Sequence, residues 1–209
     1  MVDREELSFG GIVLCGGKSS RMGRPKHLLP FGRETLLERV VKRLNDVVSP
    51  VIVVAAVGQE LPALPADVLI ARDEIEGRGP LAGLAAGLSL MKEHREAAFV
   101  SSCDAPFLMP GFIRRMLEGL GEYDLAIPRE SSYYHPLAAV YRSTLEEPIR
   151  ELIDKNQLRP FFLIEKCRAR IIDVAELRSA DPELASLRNI NHPDEYQQAL
   201  IDAGFEATD

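Results

Sequence analysis

Between Leu14 and Leu37 the chain reads L-C-G-G-K-S-S-R-M-G-R-P-K-H-L-L-P-F-G-R-E-T-L-L. Four cations in this stretch, Lys18, Arg21, Arg24 and Lys26, share a loop with Gly16, Gly17 and Gly23. Glycines let backbone N–H groups approach an anion with no Cβ in the way. The cations add formal charge that a backbone dipole lacks. A chain of net charge −7 thus gathers positive charge at one point, as a triphosphate site requires. The loop is neither a G-x-x-x-x-G-K-[ST] phosphate loop nor a G-x-G-x-x-G dinucleotide fingerprint, which disfavours P-loop phosphotransferases and ordinary NAD enzymes.

Acidic groups supply the other half. Asp104 follows an apolar strand, where a carboxylate can hold Mg²⁺ beside phosphate oxygens. Asp73 follows a shorter strand and is placed to contact a nucleotide or to assist the metal through water. Gly77, Gly79, Pro80 and Gly83 offer a second small-residue surface against which a flat ligand can pack. Each also has a plain structural reading: Asp104 as a cap before Pro106, Asp73 as a surface acid beside Glu74 and Glu76, and the glycines as a tight helix–sheet contact. The histidines, at 27, 94, 135 and 192, are too scattered for a metal set. No serine has a G-x-S-x-G context, and Cys103 reads as a buried structural thiol. A cationic loop, one or two strand-end acids and no covalent nucleophile fit direct transfer between phosphates, where positioning and charge neutralisation do most of the catalysis. In such a site Lys26 neutralises the triphosphate, Asp104 holds Mg²⁺ and the acceptor's own phosphate attacks.

Alternating elements must position these groups. Apolar runs predict strands at Gly10–Cys15, Val51–Ala56, Val68–Ala71, Ala97–Ser102, Asp124–Ile127, Pro136–Tyr141 and Ala169–Val174. Helices are expected after the capping-box patterns Thr35–Glu38 and Thr144–Glu147, after Pro80 and Pro110, and beyond Asn189–Asp194, with a short apolar helix or turn in Leu158–Cys167. The alternation implies an α/β fold of three layers, a Rossmann-like, mostly parallel sheet with helices on both faces. The 209 residues are read as a single nucleotidyltransferase domain. With 46% hydrophobic and 27% charged residues the composition is that of an ordinary soluble protein. Net acidity argues against nucleic-acid binding. No apolar run approaches the roughly 18 residues of a membrane span. Three cysteines without C-x-x-C spacing suit a reducing cytoplasm.

Six elements in order resemble the molybdenum cofactor nucleotidyltransferases, and among them the guanylyltransferases of the MobA type. They are L-C-G-G-K-S-S-R-M-G (Leu14–Gly23), P-K-H-L-L (Pro25–Leu29), G-P-L-A-G (Gly79–Gly83), S-C-D-A-P-F (Ser102–Phe107), H-P-L (His135–Leu137) and N-I-N-H-P (Asn189–Pro193). The resemblance covers nearly the whole chain. It implies nucleotide contacts at Leu14, Cys15, Gly16, Gly17 and Asp73, phosphate contacts at Arg21 and Lys26, and Mg²⁺ at Asp104. Asn189 and Asn191 resemble the family's segment near the pterin acceptor. The implied partners are GTP, Mo-molybdopterin and the molybdoenzymes or chaperones that receive the product. The implied reaction gives the guanine dinucleotide cofactor and pyrophosphate. The departures are Cys15 for the usual alanine, Ala55 where an asparagine often stands, and Arg24-Pro25 before the lysine, nearer to cytidylyl- and sugar-nucleotidyltransferases. A molybdopterin cytidylyltransferase, a sugar-phosphate nucleotidyltransferase and a nucleotide-binding module that has lost catalysis are the competing readings.

Overall fold

The computed structural model describes residues 9–16, 22–73 and 78–206. Its centre is one sheet, built from β1 (Phe9–Leu14), β4 (Val51–Ala56), β5 (Leu69–Asp73), β6 (Ala97–Ser102), β7 (Leu125–Glu130), β8 (Tyr133–Tyr134), β9 (Ala138–Arg142) and β10 (Ala169–Asp173). The strands lie in the order β10-β7-β9-β6-β1-β4-β5, with the two-residue β8 paired to β7. All neighbours along this path are parallel except β9, which runs antiparallel to β6 and β7. Sequence periodicity carries no such direction, and the short β8 ladder has too few apolar residues to show in advance.

Consecutive residues of the central strands enter opposite cores. Val13, Val53 and Phe99 pack under α1 (Leu36–Asn45) and α3 (Pro110–Leu120). Ile12, Val54 and Val100 pack under α2 (Pro80–Met91), α4 (Glu146–Asp154) and α5 (Phe161–Ile164). Every one of these six strand residues is at most 2% exposed, so the continuous apolar runs reflect burial on both faces. A fully buried Val, Leu or Ile contributes about 1.5–3 kcal/mol, which makes β1, β4 and β6 a firm base for the loops they carry.

Local signals set several helix starts. Thr35 Oγ1 accepts from Glu38 N at 3.2 Å while Thr35 N donates to Glu38 Oε2 at 2.6 Å, a complete capping box on α1. Pro80 and Pro110 open α2 and α3. The Thr144 pattern does not cap: the chain enters α4 through a 3₁₀ turn, Ser143–Leu145, without a capping side-chain bond. There Ser143 is drawn onto Arg95 O and Glu96 O instead.

A hairpin not expected from the sequence, β2 (Pro30–Phe31) with β3 (Glu34–Thr35), joins α6 (Pro193–Asp202) in a third small core of Leu29, Phe31, Leu36, Ile190, Tyr196, Ala199 and Leu200. Phe31 meets the rings of Phe107 and Phe205 edge-on at 5.9 and 5.3 Å. This cluster fastens the end of the chain beside the carboxyl ends of β1 and β6. Among the described residues no helix is long and apolar enough to cross a membrane.

Candidate active site

The loop and the acid leave from adjacent parallel strands. Leu14 on β1 is in register with Ser102 on β6, and Cys103 N donates to Leu14 O at 3.1 Å. At a strand spacing of about 4.8 Å, Cys15-Gly16 and Cys103-Asp104 emerge side by side at the carboxyl edge, where open α/β sheets bind ligands. Gly16 is exposed, and a Cβ on it would meet nothing within 4 Å. Gly17 and Arg21 lie outside the described residues.

Lys26 begins a single 3₁₀ turn, Lys26–Leu28, held by Leu28 N to Pro25 O at 3.1 Å and Leu29 N to Lys26 O at 3.0 Å. The turn aims its ammonium at Asp104: Nζ is 2.7 Å from Oδ2, with side-chain exposures of 16% and 11%. Nζ also donates to Asn191 Oδ1 at 3.0 Å. Three residues separated by 78 and 165 positions therefore meet around one nitrogen.

The Asn189–Asn191 segment grips Asp104 again. Ile190 N donates to the Asp104 carbonyl at 2.9 Å. Ser102 Oγ donates to Asp104 Oδ1 at 2.5 Å and receives Asn189 Nδ2 at 3.1 Å. Glu195, in the first turn of α6, accepts Asn191 N at 2.6 Å and His192 N at 3.2 Å. These N–H bonds, Asn191's foremost, hold its carboxyl below the usual range. Ser102 and Glu195 were not legible as site residues, because a lone serine in a strand or a glutamate on a helix matches every surface pattern.

Asp73, Gly79, Pro80 and Gly83 form the other flank. Asp73 is the last residue of β5 rather than part of the loop after it, two strands from β1. Gly83 is buried, and a Cβ there would stand 3.6 Å from Leu14 Cδ2, 3.7 Å from Val54 Cγ1 and 3.8 Å from Asp73 Oδ2. It therefore brings α2 against the ends of β1, β4 and β5. Gly79 takes φ 69° at the N-cap of α2, and Gly79 and Pro80 are exposed. Leu14 is buried, so its contribution at the edge is chiefly backbone.

Beneath the loop lies a polar knot that the sequence did not disclose. Gln59 accepts Ala56 N with Oε1 at 3.0 Å and donates Nε2 to Cys15 O at 3.0 Å, tying the ends of β4 and β1 together. The same Nε2 is 3.1 Å from His27 Nδ1, and His27 Nε2 is 2.8 Å from Glu60 O. The Nε2–H tautomer satisfies both contacts. The neighbouring Cys103 thiol, and His27 after it, lower the Cys15 thiol to about 6 despite burial. Cys103, beside Cys15 and itself buried, is pushed up. Burial opposes protonation of His27, but its interactions with Cys15 outweigh that and raise it. The knot braces the loop's root; nothing places its thiols on a reacting atom.

Among the described residues no cluster of three His, Cys, Asp or Glu side chains suits a metal ion. A single carboxylate such as Asp104, with phosphates and water supplying the remaining oxygens, would match the sparse protein donor set that Mg²⁺ usually takes.

Comparison with known proteins gives the family and the fold. The family described as the MobA-like NTP transferase domain matches residues 11–169. The chain is 34% identical over 200 residues to a protein of Pelotomaculum thermopropionicum named probable molybdenum cofactor guanylyltransferase, covering 93% of each chain. It is 33% identical to the molybdenum cofactor guanylyltransferase of Desulfosudis oleivorans, covering 93% of this chain and 96% of that one. The crystal structure of molybdopterin-guanine dinucleotide biosynthesis protein A from Archaeoglobus fulgidus has the same fold, with a TM-score of 0.76 at 23% identity over 93% of this chain and 98% of that one.

Proposed function

The chain belongs to the MobA-like NTP transferase family, and we propose that it is a molybdenum cofactor guanylyltransferase, transferring GMP from GTP to Mo-molybdopterin with Mg²⁺. The observation that carries this reading is the convergence of Lys26, Asp104 and Asn191 at the edge where the glycine loop ends. We take all 209 residues as the catalytic unit. A phosphate oxygen of the acceptor attacks the α-phosphorus of GTP, a P–O bond forms, the α–β bridging bond breaks, and pyrophosphate leaves with the bonding electrons.

Lys26 serves this reaction with a part-buried ammonium that can pass from Asp104 to the phosphates. Asn191 holds that ammonium in the cleft while it does so. Asp104 is the residue that would hold Mg²⁺, whose role is to neutralise charge on the triphosphate. Gly16 gives the base room beside β1, Leu14, Cys15 and Asp73 border the nucleoside, and Gly17 and Arg21, outside the described residues, are assigned to the nucleotide and its phosphates. Asn189 and Asn191 face the acceptor, with Gly79, Pro80 and Gly83 on the opposite flank. GTP is favoured over CTP because the relatives aligned over nearly the full chain are guanylyltransferases by name. The product is suited to delivery to molybdoenzymes or their chaperones in the cytoplasm.

Pyrophosphate release with GTP, CTP or UTP, in the presence of Mo-molybdopterin and Mg²⁺, tests the proposal. The expected result is a preference for GTP over CTP of at least about tenfold, roughly 1.4 kcal/mol of discrimination. Preference for CTP would move the protein to the cytidylyl branch. Absence of turnover with every nucleotide would leave a binding module.

A further inference from the structure

Asp104 has two carboxylate oxygens, and each already has a partner of a different kind. Oδ1 receives the Ser102 hydroxyl at 2.5 Å, while Oδ2 faces the Lys26 ammonium at 2.7 Å. Ser102 has a single hydroxyl proton, and a carboxylate oxygen can only accept, so that proton points at Asp104. The third group on this oxygen, from Asn189 at 3.1 Å, must then be a donor, which fixes the amide with Nδ2 toward Ser102. The result is a directed chain, Asn189 N–H to Ser102 O–H to Asp104 Oδ1. Ser102 is 7% exposed at the end of β6, so water is poorly placed to replace its hydroxyl. With Oδ1 tied to a buried hydroxyl and the Asp104 carbonyl held by Ile190 N, Oδ2, now on the Lys26 ammonium, is the oxygen a cation would reach by displacing that contact.

We propose that Ser102, oriented by Asn189, is a positioning residue that makes Asp104 present Oδ2 alone to a divalent cation. The claim rests on the nucleotidyl-transfer reading of the site and goes beyond it. Ser102 touches neither the reacting atoms nor the cleft's cations, yet it decides which lone pairs are available to them. It also links the far segment, residues 189–191, to the metal carboxylate, so that segment acts on the metal side of the reaction as well as on the acceptor side.

The neighbouring serine provides the control. Ser101, 1% exposed, spends its hydroxyl on the Ser102 carbonyl at 3.2 Å and has no bond to Asp104. Full-length wild type, Ser102→Ala, Ser102→Thr and Ser101→Ala are titrated with Mn²⁺ by electron paramagnetic resonance, with GTP and separately with CTP. The kcat and KM for GTP are measured in parallel, and thermal unfolding checks the fold. Ser102→Ala is expected to weaken Mn²⁺ binding at least threefold and to lower kcat at least tenfold, with KM for GTP within twofold. Ser102→Thr, which keeps the hydroxyl, is expected to recover most of both, and Ser101→Ala to match wild type. Unchanged Mn²⁺ affinity in Ser102→Ala overturns the proposal, as does an equal loss in Ser101→Ala or an unfolded Ser102→Ala protein. A wild type that binds Mn²⁺ with nucleotide but never transfers to molybdopterin defeats the proposed function only, because the Ser102 contrast is still read from metal binding.

Discussion

At the scale of single residues, the proposed chemistry turns on the 2.7 Å contact between Lys26 and Asp104. A charge-assisted bond of this kind contributes about 1.5–3 kcal/mol, and the Lys26 ammonium is expected to bring a similar amount to the phosphates. Lys26→Ala should therefore weaken GTP binding and turnover by tenfold or more, measured by calorimetric titration and steady-state rates. A variant with unchanged GTP affinity and a lower melting temperature would make Lys26 structural. Asp104→Ala should fold yet lose at least about a hundredfold in turnover, the scale of removing one electrostatic stabiliser, with near-normal rates refuting the assignment. Cys15 makes a separate prediction. Its thiol is lowered to about 6 by the neighbouring Cys103 thiol and by His27, whereas burial lifts Cys167 to about 11. Slow alkylation mapped by mass spectrometry should show Cys15 labelling rise with a midpoint near pH 6, with Cys167 inert through pH 8. Because the folded value lies below the ordinary 9.0, this thiol's contribution to stability is complete above pH 9 and is lost as pH falls toward 6. Cys103→Ala should move the labelling midpoint upward, and an unmoved midpoint would exclude Cys103 as the cause of the lowering.

Two elements hold these residues in place, and each has a position where one substitution should loosen it. Helix α2 approaches the sheet through Gly87: a Cβ there would lie 2.8 Å from Ile12 Cγ2 and 3.0 Å from Val54 Cγ2. Both neighbours are fully or nearly fully buried β-branched residues, stiff at χ1 and unable to retreat. Gly87→Val should cost about 1–3 kcal/mol by overpacking, read as a lower denaturation midpoint. A melting curve identical to wild type would mean that the helix can lift freely. The segment before α6 is fastened by Ile190, which is 0% exposed among Leu29, Phe31 and Tyr196. Tyr196 adds a hydroxyl bond to the Pro30 carbonyl. Ile190→Ala should cost about 2–5 kcal/mol. Turnover should fall by more than the folded fraction explains, since Ile190 N also holds the Asp104 carbonyl. Turnover that tracks the folded fraction would separate the anchor from the site.

At the scale of the molecule, much of the architecture could be read without coordinates. Strands buried on both faces need uninterrupted apolar runs, so β1, β4 and β6 appear in the sequence within a residue of their observed ends. Helix starts that depend on adjacent residues, such as the Thr35–Glu38 box and Pro80, are legible for the same local reason. Lys26 is legible as one of four cations gathered in a glycine loop, and Asp104 as a charge just beyond an apolar strand. The antiparallel course of β9 was hidden, since an apolar run carries no direction. The failed cap at Thr144 was hidden because its competitors, Arg95 and Glu96, lie about fifty residues earlier. The Ser102 hydroxyl took its meaning only from Asn189, 87 positions away. The sequence by itself determined which groups carry charge and which segments must be buried, because both follow from side chains and their near neighbours. Only the tertiary structure decided which oxygen of Asp104 faces Lys26 and which asparagines hold them, because those bonds join segments that the chain keeps far apart.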